Sequence, residues 1–188
     1  KTEKLDLQIK TEKKIILYGA QNPQSKRKGW NVFVESLKKL DKSKYFLLIF
    51  GNFWSKAILD EIGIEYKIIG FVDNKKTLNT IYCSADLFVS SSIQEAFGKT
   101  WVEAMACETP VVCFENTCAS EIIDHKINGY IAKNFEANEL KDGIEWLSNQ
   151  IEKGNFKKDG IRHKIIEFDA KFIAKKYIDL YKNVLNNN

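Results

Sequence analysis

The chain has 188 residues, of which 44% are hydrophobic and 29% charged. That is the composition of one full globular domain, or of one domain with a docking appendage, and it excludes wholesale disorder, a collagen-like fibre and a disulfide-stapled scaffold. A net charge of +4, from 29 basic and 25 acidic residues, is too small and too evenly spread to point to nucleic acid by itself.

No apolar run nears the roughly 20 residues a bilayer span needs, and Lys1-Thr2-Glu3-Lys4 lacks the apolar stretch of a signal peptide, so a soluble protein is expected. Cys83, Cys107, Cys113 and Cys118 form no CxxC pair and sit mostly in apolar surroundings, as reduced thiols of a cytoplasmic protein would. With only His125 and His163 besides, and neither near a cysteine cluster, no metal site is expected.

Residues 1–12 are charge-rich and aperiodic and read as a linker or fray. From there, strand-length apolar runs alternate with amphipathic segments of helix length. A strand over Lys14–Tyr18 precedes a helix over Gly29–Leu40, and Phe46–Phe50 precedes Ser55–Ile62. Lys67–Ile69 precedes Lys75–Cys83, Asp86–Ser90 precedes Thr100–Cys107, and Pro110–Phe114 precedes Ala119–His125. A last strand, Tyr130–Ala132, is followed by helices over Ala137–Asn149, Phe156–Glu167 and Ala170–Leu185. The alternation predicts an α/β domain, a Rossmann-like parallel sheet with helices on both faces, over residues 13–168. The final helix, within 169–188, carries Phe172, Ile173, Tyr177, Leu180, Tyr181 and Val184, a broad apolar stripe that either covers this sheet or docks elsewhere.

Gly19, Gly51 and Gly70 each close a strand. Carboxyl ends of strands form the ligand crevice of an open α/β sheet, and three glycines in register there favour a nucleotide cleft over plain turn punctuation. After the strand ending at Ser90 comes a polar loop holding Glu95 and Gly98, then a helix from about Thr100. The N–H groups of Gly98, Lys99 and Thr100 would point out of that helix start as an anion site. Glu103, one turn in, can turn its carboxylate to the same crevice, where it suits vicinal hydroxyls.

The run Glu95-Ala-Phe97-Gly98-Lys99-Thr100-Trp-Val-Glu103-Ala-Met-Ala, followed by Thr109-Pro110-Val-Val, resembles the E-x7-E signature of retaining GT-B glycosyltransferases of family 4. The likeness continues through Ala119-Ser-Glu121-Ile-Ile-Asp124-His125 and Asn128-Gly129-Tyr130 and covers nearly the whole chain, as the C-terminal half of such an enzyme. The resemblance implies transfer of a sugar from a nucleotide diphosphate donor (a UDP-, GDP- or ADP-sugar) to a glycan or lipid-linked acceptor, with no required metal or other cofactor. An absent N-terminal half would hold most of the acceptor and receive the C-terminal helix, and the whole enzyme would work in the cytoplasm or at the cytoplasmic face of a membrane.

In that pattern Glu103 binds ribose hydroxyls, Glu95 lies by the donor sugar, and the backbone of Phe97, Gly98, Lys99 and Thr100 meets sugar hydroxyls and diphosphate. Pro23-Gln-Ser-Lys26-Arg27-Lys28-Gly29 resembles the diphosphate loop, with Lys28 as the matching cation; one compact charge there can neutralise the leaving group. Where the family often carries arginine after the first strand's glycine, this chain has Ala20, so Arg27 or Lys26 would have to supply a second cation. Gly70-Phe71-Val72 looks like the loop that flanks the nucleobase, and Asn52-Phe53-Trp54 offers aromatics nearby for base stacking or for packing. Ala20 keeps open a nucleotide-binding module without transferase chemistry; a sugar-nucleotide epimerase of similar architecture is disfavoured by the loop and helix around Glu95 and Glu103. Neither histidine is assigned a role, and His125 is expected to end a helix and pack locally.

Overall fold

The computed structural model describes residues 7–53, 55–115, 118–157 and 160–186. Six strands form one sheet: β1 (Lys14–Gly19), β2 (Tyr45–Phe50), β3 (Glu65–Gly70), β4 (Leu87–Ser90), β5 (Val111–Phe114) and β6 (Gly129–Ala132). Every pairing is parallel, in the order β3-β2-β1-β4-β5-β6. The helices are α1 (Trp30–Lys39), α2 (Ala57–Ile62), α3 (Lys75–Ser84), α4 (Lys99–Ala106), α5 (Ala119–Ile122), α6 (Ala137–Glu152), α7 (Ile161–Ile165) and α8 (Ala170–Asn186).

Strands β1, β2, β4 and β5 read as nearly continuous apolar runs because both faces of the sheet are covered there, whereas edge strand β3 carries Glu65 and Lys67 and has no fully buried residue. Ile15, Leu17, Leu48, Phe50, Val111 and Cys113 point into one core, with α3 (Ile81, Tyr82), α4 (Trp101, Met105) and α7 (Ile161, Ile165). Their neighbours Ile16, Tyr18, Leu47, Ile49, Val112 and Phe114 point into the other, under α1 (Phe33, Leu37), α2 (Leu59) and α6 (Leu140, Ile144, Leu147). The chain thus winds in both directions from the β1–β4 seam, which makes the carboxyl ends of those two strands the topological switch point.

Three segments differ from expectation. The charge-rich start is not loose from Leu7 onward: Ile9 is buried in the first core, and Lys67 Nζ donates to the Leu7 carbonyl at 2.6 Å. Helix α5 stops at Ile122 rather than His125, because the Asn128 side chain accepts from the Asp124 N–H at 2.9 Å and its amide returns to the Asp124 carboxylate. Such a local lock outcompetes another helical turn. His125 instead packs against Tyr130, with ring centroids 4.7 Å apart, and its Nδ1 accepts from the Ile131 N–H at 3.0 Å. Of the helix expected over Phe156–Glu167, Lys158 and Asp159 lie outside the described residues; among the described residues Phe156 is not helical, its N–H and that of Asn155 capping the Gln150 carbonyl at the end of α6, and the rest divides into α7 and a 3-10 turn at Ile166–Phe168.

Candidate functional site

Between β1 and α1 the basic stretch folds as a 3-10 turn, Lys26–Lys28, stopped by Gly29 at φ +67°. A Cβ on Gly29 would lie 1.9 Å from the Ser91 carbonyl oxygen, so only glycine lets this loop close onto the end of β4. The Ser91 hydroxyl donates to the Lys28 carbonyl at 2.7 Å, and the Tyr18 hydroxyl sits 3.1 Å from that carbonyl, 3.2 Å from Pro23 O and 3.2 Å from Ser91 Oγ. Burial pushes the Tyr18 hydroxyl well above its ordinary pKa, so it remains a donor. The Ile93 N–H donates to the Arg27 carbonyl at 3.0 Å, which joins the basic loop to the Glu95 loop.

That seam brings together two residues 67 positions apart: Lys28 Nζ donates to Glu95 Oε2 at 2.7 Å, with each side chain 15% exposed. Arg27 Nη1 donates to the Gln94 carbonyl at 3.2 Å and lies 4.0 Å from Glu95 Oε2. Lys26 is exposed, and Ala20 is buried with its carbonyl oxygen 1.8 Å from where a Cβ on Gly51 would stand. Ala20 therefore puts no cation at its position, and the described basic groups nearest Glu95 are Lys28 and Arg27.

Across the seam, Gly98 caps α4 at φ +72°, where a Cβ would meet the Trp101 ring at 2.6 Å. The N–H groups of Trp101 and Val102 already bond to the Gly98 carbonyl, so those ahead of them lie beyond the helix's own ladder. Gly19, Ala20, Lys28, Ser91 and Thr100 line a niche of about 10 Å³ between the two strand ends. Phe97 is half exposed, and its ring meets Phe168 edge-on at 5.6 Å.

Glu103 faces a second, roomier hollow between α3 and α4, of about 410 Å³, shared with Lys75, Leu78, Asn79, Tyr82 and Lys99. Its Oε2 accepts from the Tyr82 hydroxyl at 3.1 Å, while Oε1 lies 3.6 Å from the exposed Lys99 ammonium. Gly70 ends edge strand β3, Phe71 and Val72 follow it, and none of the three lines this hollow. The Gly70 carbonyl accepts from the Gly51 N–H at 2.8 Å, Phe71 is 60% exposed, and Val72 packs on the core that holds Tyr82. Phe53 is packing: its ring abuts Trp30 of α1 edge-on at 5.2 Å. Trp54 lies outside the described residues. A larger pocket of about 680 Å³ opens at the amino ends of β1, β2 and β3, away from these groups.

Sequence reasoning placed Glu95, Gly98 and Glu103 in one motif and Lys28 in another; it missed Tyr18 and Ser91, which hold the Lys28 carbonyl, and Tyr82, which holds the Glu103 carboxylate. Only Tyr18 carried a signal, as a hydroxyl in the otherwise apolar run of β1, where a buried hydroxyl demands a partner.

Over residues 1–163 the sequence matches the family described as "Glycosyl transferases group 1". It is 30% identical over 183 residues to an uncharacterized glycosyltransferase of Methanocaldococcus jannaschii, covering 91% of this chain and 45% of that one. It is 24% identical over 161 residues to the N,N'-diacetylbacillosaminyl-diphospho-undecaprenol alpha-1,3-N-acetylgalactosaminyltransferase of Campylobacter jejuni, covering 85% of this chain and 43% of the relative. Among solved structures, Anabaena HepE in complex with UDP and glucose superposes with a TM-score of 0.80 at 19% identity, over 97% of this chain and 51% of HepE. The chain spans about half the length of the relatives it matches, and the shared architecture is the Rossmann-like α/β unit of the GT-B fold. The chain belongs to the group 1 glycosyl transferases.

Proposed function

We propose that this domain holds the nucleotide-sugar donor of a retaining, family 4-like glycosyltransferase whose other half binds the acceptor. The observation that carries the reading is the meeting, at the β1–β4 switch point, of the Lys28 ammonium, the Glu95 carboxylate and the start of α4. Cation and helix N-terminus suit a diphosphate, and a carboxylate beside them suits the hydroxyls of the attached sugar. Lys28, helped by Arg27 in place of a cation at Ala20, neutralises the charge that collects on the diphosphate as the glycosidic bond breaks. Glu95 orients the sugar ring, and the Phe97–Thr100 backbone meets sugar hydroxyls and phosphate. Glu103 takes the ribose hydroxyls, and the Gly70–Val72 loop flanks the base beyond it. No metal is needed in this scheme, because side-chain cations and a helix start carry the neutralisation.

Two relatives support the chemistry: the Campylobacter enzyme is named for a diphospho-undecaprenol acceptor, and HepE was solved with UDP and glucose. By that analogy the donor is a nucleoside diphosphate sugar and the acceptor a glycan or lipid-linked saccharide. The whole enzyme would then act in the cytoplasm, at the membrane face where a lipid-linked acceptor presents its saccharide, in polysaccharide assembly. Among the described residues no helix is long and apolar enough to cross a membrane.

Replacing Glu103 tests the ribose assignment. Calorimetry should show Glu103→Ala weakening nucleoside diphosphate binding by about 1–3 kcal/mol, the scale of charge-assisted hydrogen bonds. Equal affinities in parent and variant remove Glu103 from the donor site.

A further inference from the structure

We infer that Tyr82 is a positioning residue for donor binding, fixing the Glu103 carboxylate so that one oxygen is reserved for the ribose diol. The inference rests on the proposed placement of ribose at Glu103. Tyr82 is 1% exposed, and its ring is wedged edge-on between Phe50 at 5.6 Å and Phe88 at 5.8 Å. Its backbone is held as well, since the Thr109 hydroxyl donates to the Tyr82 carbonyl at 2.7 Å. Packing of this kind would be served by a phenylalanine; what the tyrosine adds is a hydroxyl at the floor of the 410 Å³ hollow, 3.1 Å from Glu103 Oε2.

Burial first, then the neighbouring Glu103 charge, drives the Tyr82 hydroxyl well above its ordinary pKa. It therefore donates to Oε2 throughout the working pH range, and Oε1 is left as the acceptor for a ligand. The other group near Glu103, the Lys99 ammonium at 3.6 Å, sits on a side chain 83% exposed, where water and salt screen the pair and the long stem is free to move. A carboxylate anchored only by such a lysine would sample several rotamers. Anchored by a rigid phenol, it presents one edge, and two vicinal hydroxyls can be read together.

The test measures discrimination between ribose and its dideoxy counterpart, a quantity that a purely structural role would leave alone. Calorimetry is run with whichever of UDP, GDP and ADP binds most tightly and with the matching 2',3'-dideoxynucleoside diphosphate. The parent should prefer the ribonucleotide on the order of tenfold or more, as hydrogen bonds to a charged group imply. Tyr82→Phe should cut that preference to about threefold or less while changing affinity for the dideoxy compound within about twofold. In a Glu103→Gln background, Tyr82→Phe should alter the preference no further, because the two residues act as one unit. A Tyr82→Phe variant that keeps the parent's preference overturns the inference and leaves the ribose assignment standing. Equal weakening of both ligands, with a lowered unfolding midpoint, also overturns it, by making Tyr82 structural. A parent without any preference removes Glu103 from the ribose site and Tyr82 with it.

Discussion

Lys28 and Glu95 form an ion pair at 2.7 Å in the site proposed for a diphosphate, so a bound phosphate must compete with a carboxylate already on the lysine. The two variants consequently carry opposite signs. Lys28→Ala should weaken a nucleoside diphosphate by about 1.5–3 kcal/mol while leaving the free nucleoside nearly unaffected, and the selective part should shrink in high salt. Glu95→Gln should tighten the nucleoside diphosphate, by about twofold to tenfold, because it removes the competing anion, even as it lowers transfer in the whole enzyme. Calorimetry of both variants at two salt concentrations checks the pair; weakening by both would mean the ion pair is holding the loops rather than guarding the phosphate site. The sequence made each residue a candidate from its own neighbourhood, but their contact joins loops 67 positions apart. Local pattern carries no information about such a contact; it follows from the strand order and from the buried Tyr18 and Ser91 hydroxyls that seat the basic loop.

Helix α4 links the diphosphate and ribose positions, and it ends on a backbone conflict. Glu108, just past its last turn, has φ +57°, a left-handed conformation that favours glycine at helix ends. Its N–H still caps the Met105 carbonyl at 2.9 Å, so glycine can keep that bond without the Cβ strain. Glu108→Gly should therefore stabilise the domain by about 0.5–1 kcal/mol, raising the unfolding midpoint by about 1–4 °C; a lowered midpoint in a thermal melt contradicts this. Elements of this domain were legible where burial sets the pattern. All six expected strands are present, and those in the middle of the sheet were the plainest, because a parallel sheet covered on both faces leaves nearly continuous hydrophobic stretches; edge strand β3, with Glu65 and Lys67, runs over Glu65–Gly70 and so beyond the expected Lys67–Ile69. Legibility failed where side chains redirect the backbone, as at the Asp124–Asn128 lock that shortens α5 and at the capped end of α6. It failed too at Leu5-Asp-Leu7-Gln-Ile9, a short alternating run inside a charged stretch, where Ile9 reaches the core and Leu7 packs against it.

At the scale of the molecule, α8 stands apart from the two cores. Phe172, Tyr177, Ile178, Leu180 and Tyr181 on it are each more than half exposed, and the chain spans about half the length of its relatives. We propose that the other half covers this helix and supplies the opposite wall of the cleft. The domain alone should then bind donor nucleotide and transfer no sugar, because holding an acceptor against the sugar and excluding water need that wall. Labelled donor with a crude acceptor extract measures this, and robust transfer by residues 1–188 would contradict it. The central claim, that this chain is a nucleoside diphosphate sugar site, is tested most directly by titrating UDP, GDP and ADP into it and following thermal unfolding. Binding at 100 times the dissociation constant should add about 2.7 kcal/mol of stability for one base, and the gain should fall in Lys28→Ala and Glu103→Ala. No stabilisation by any of the three nucleotides at millimolar concentration, or a gain untouched by both substitutions, would contradict the account.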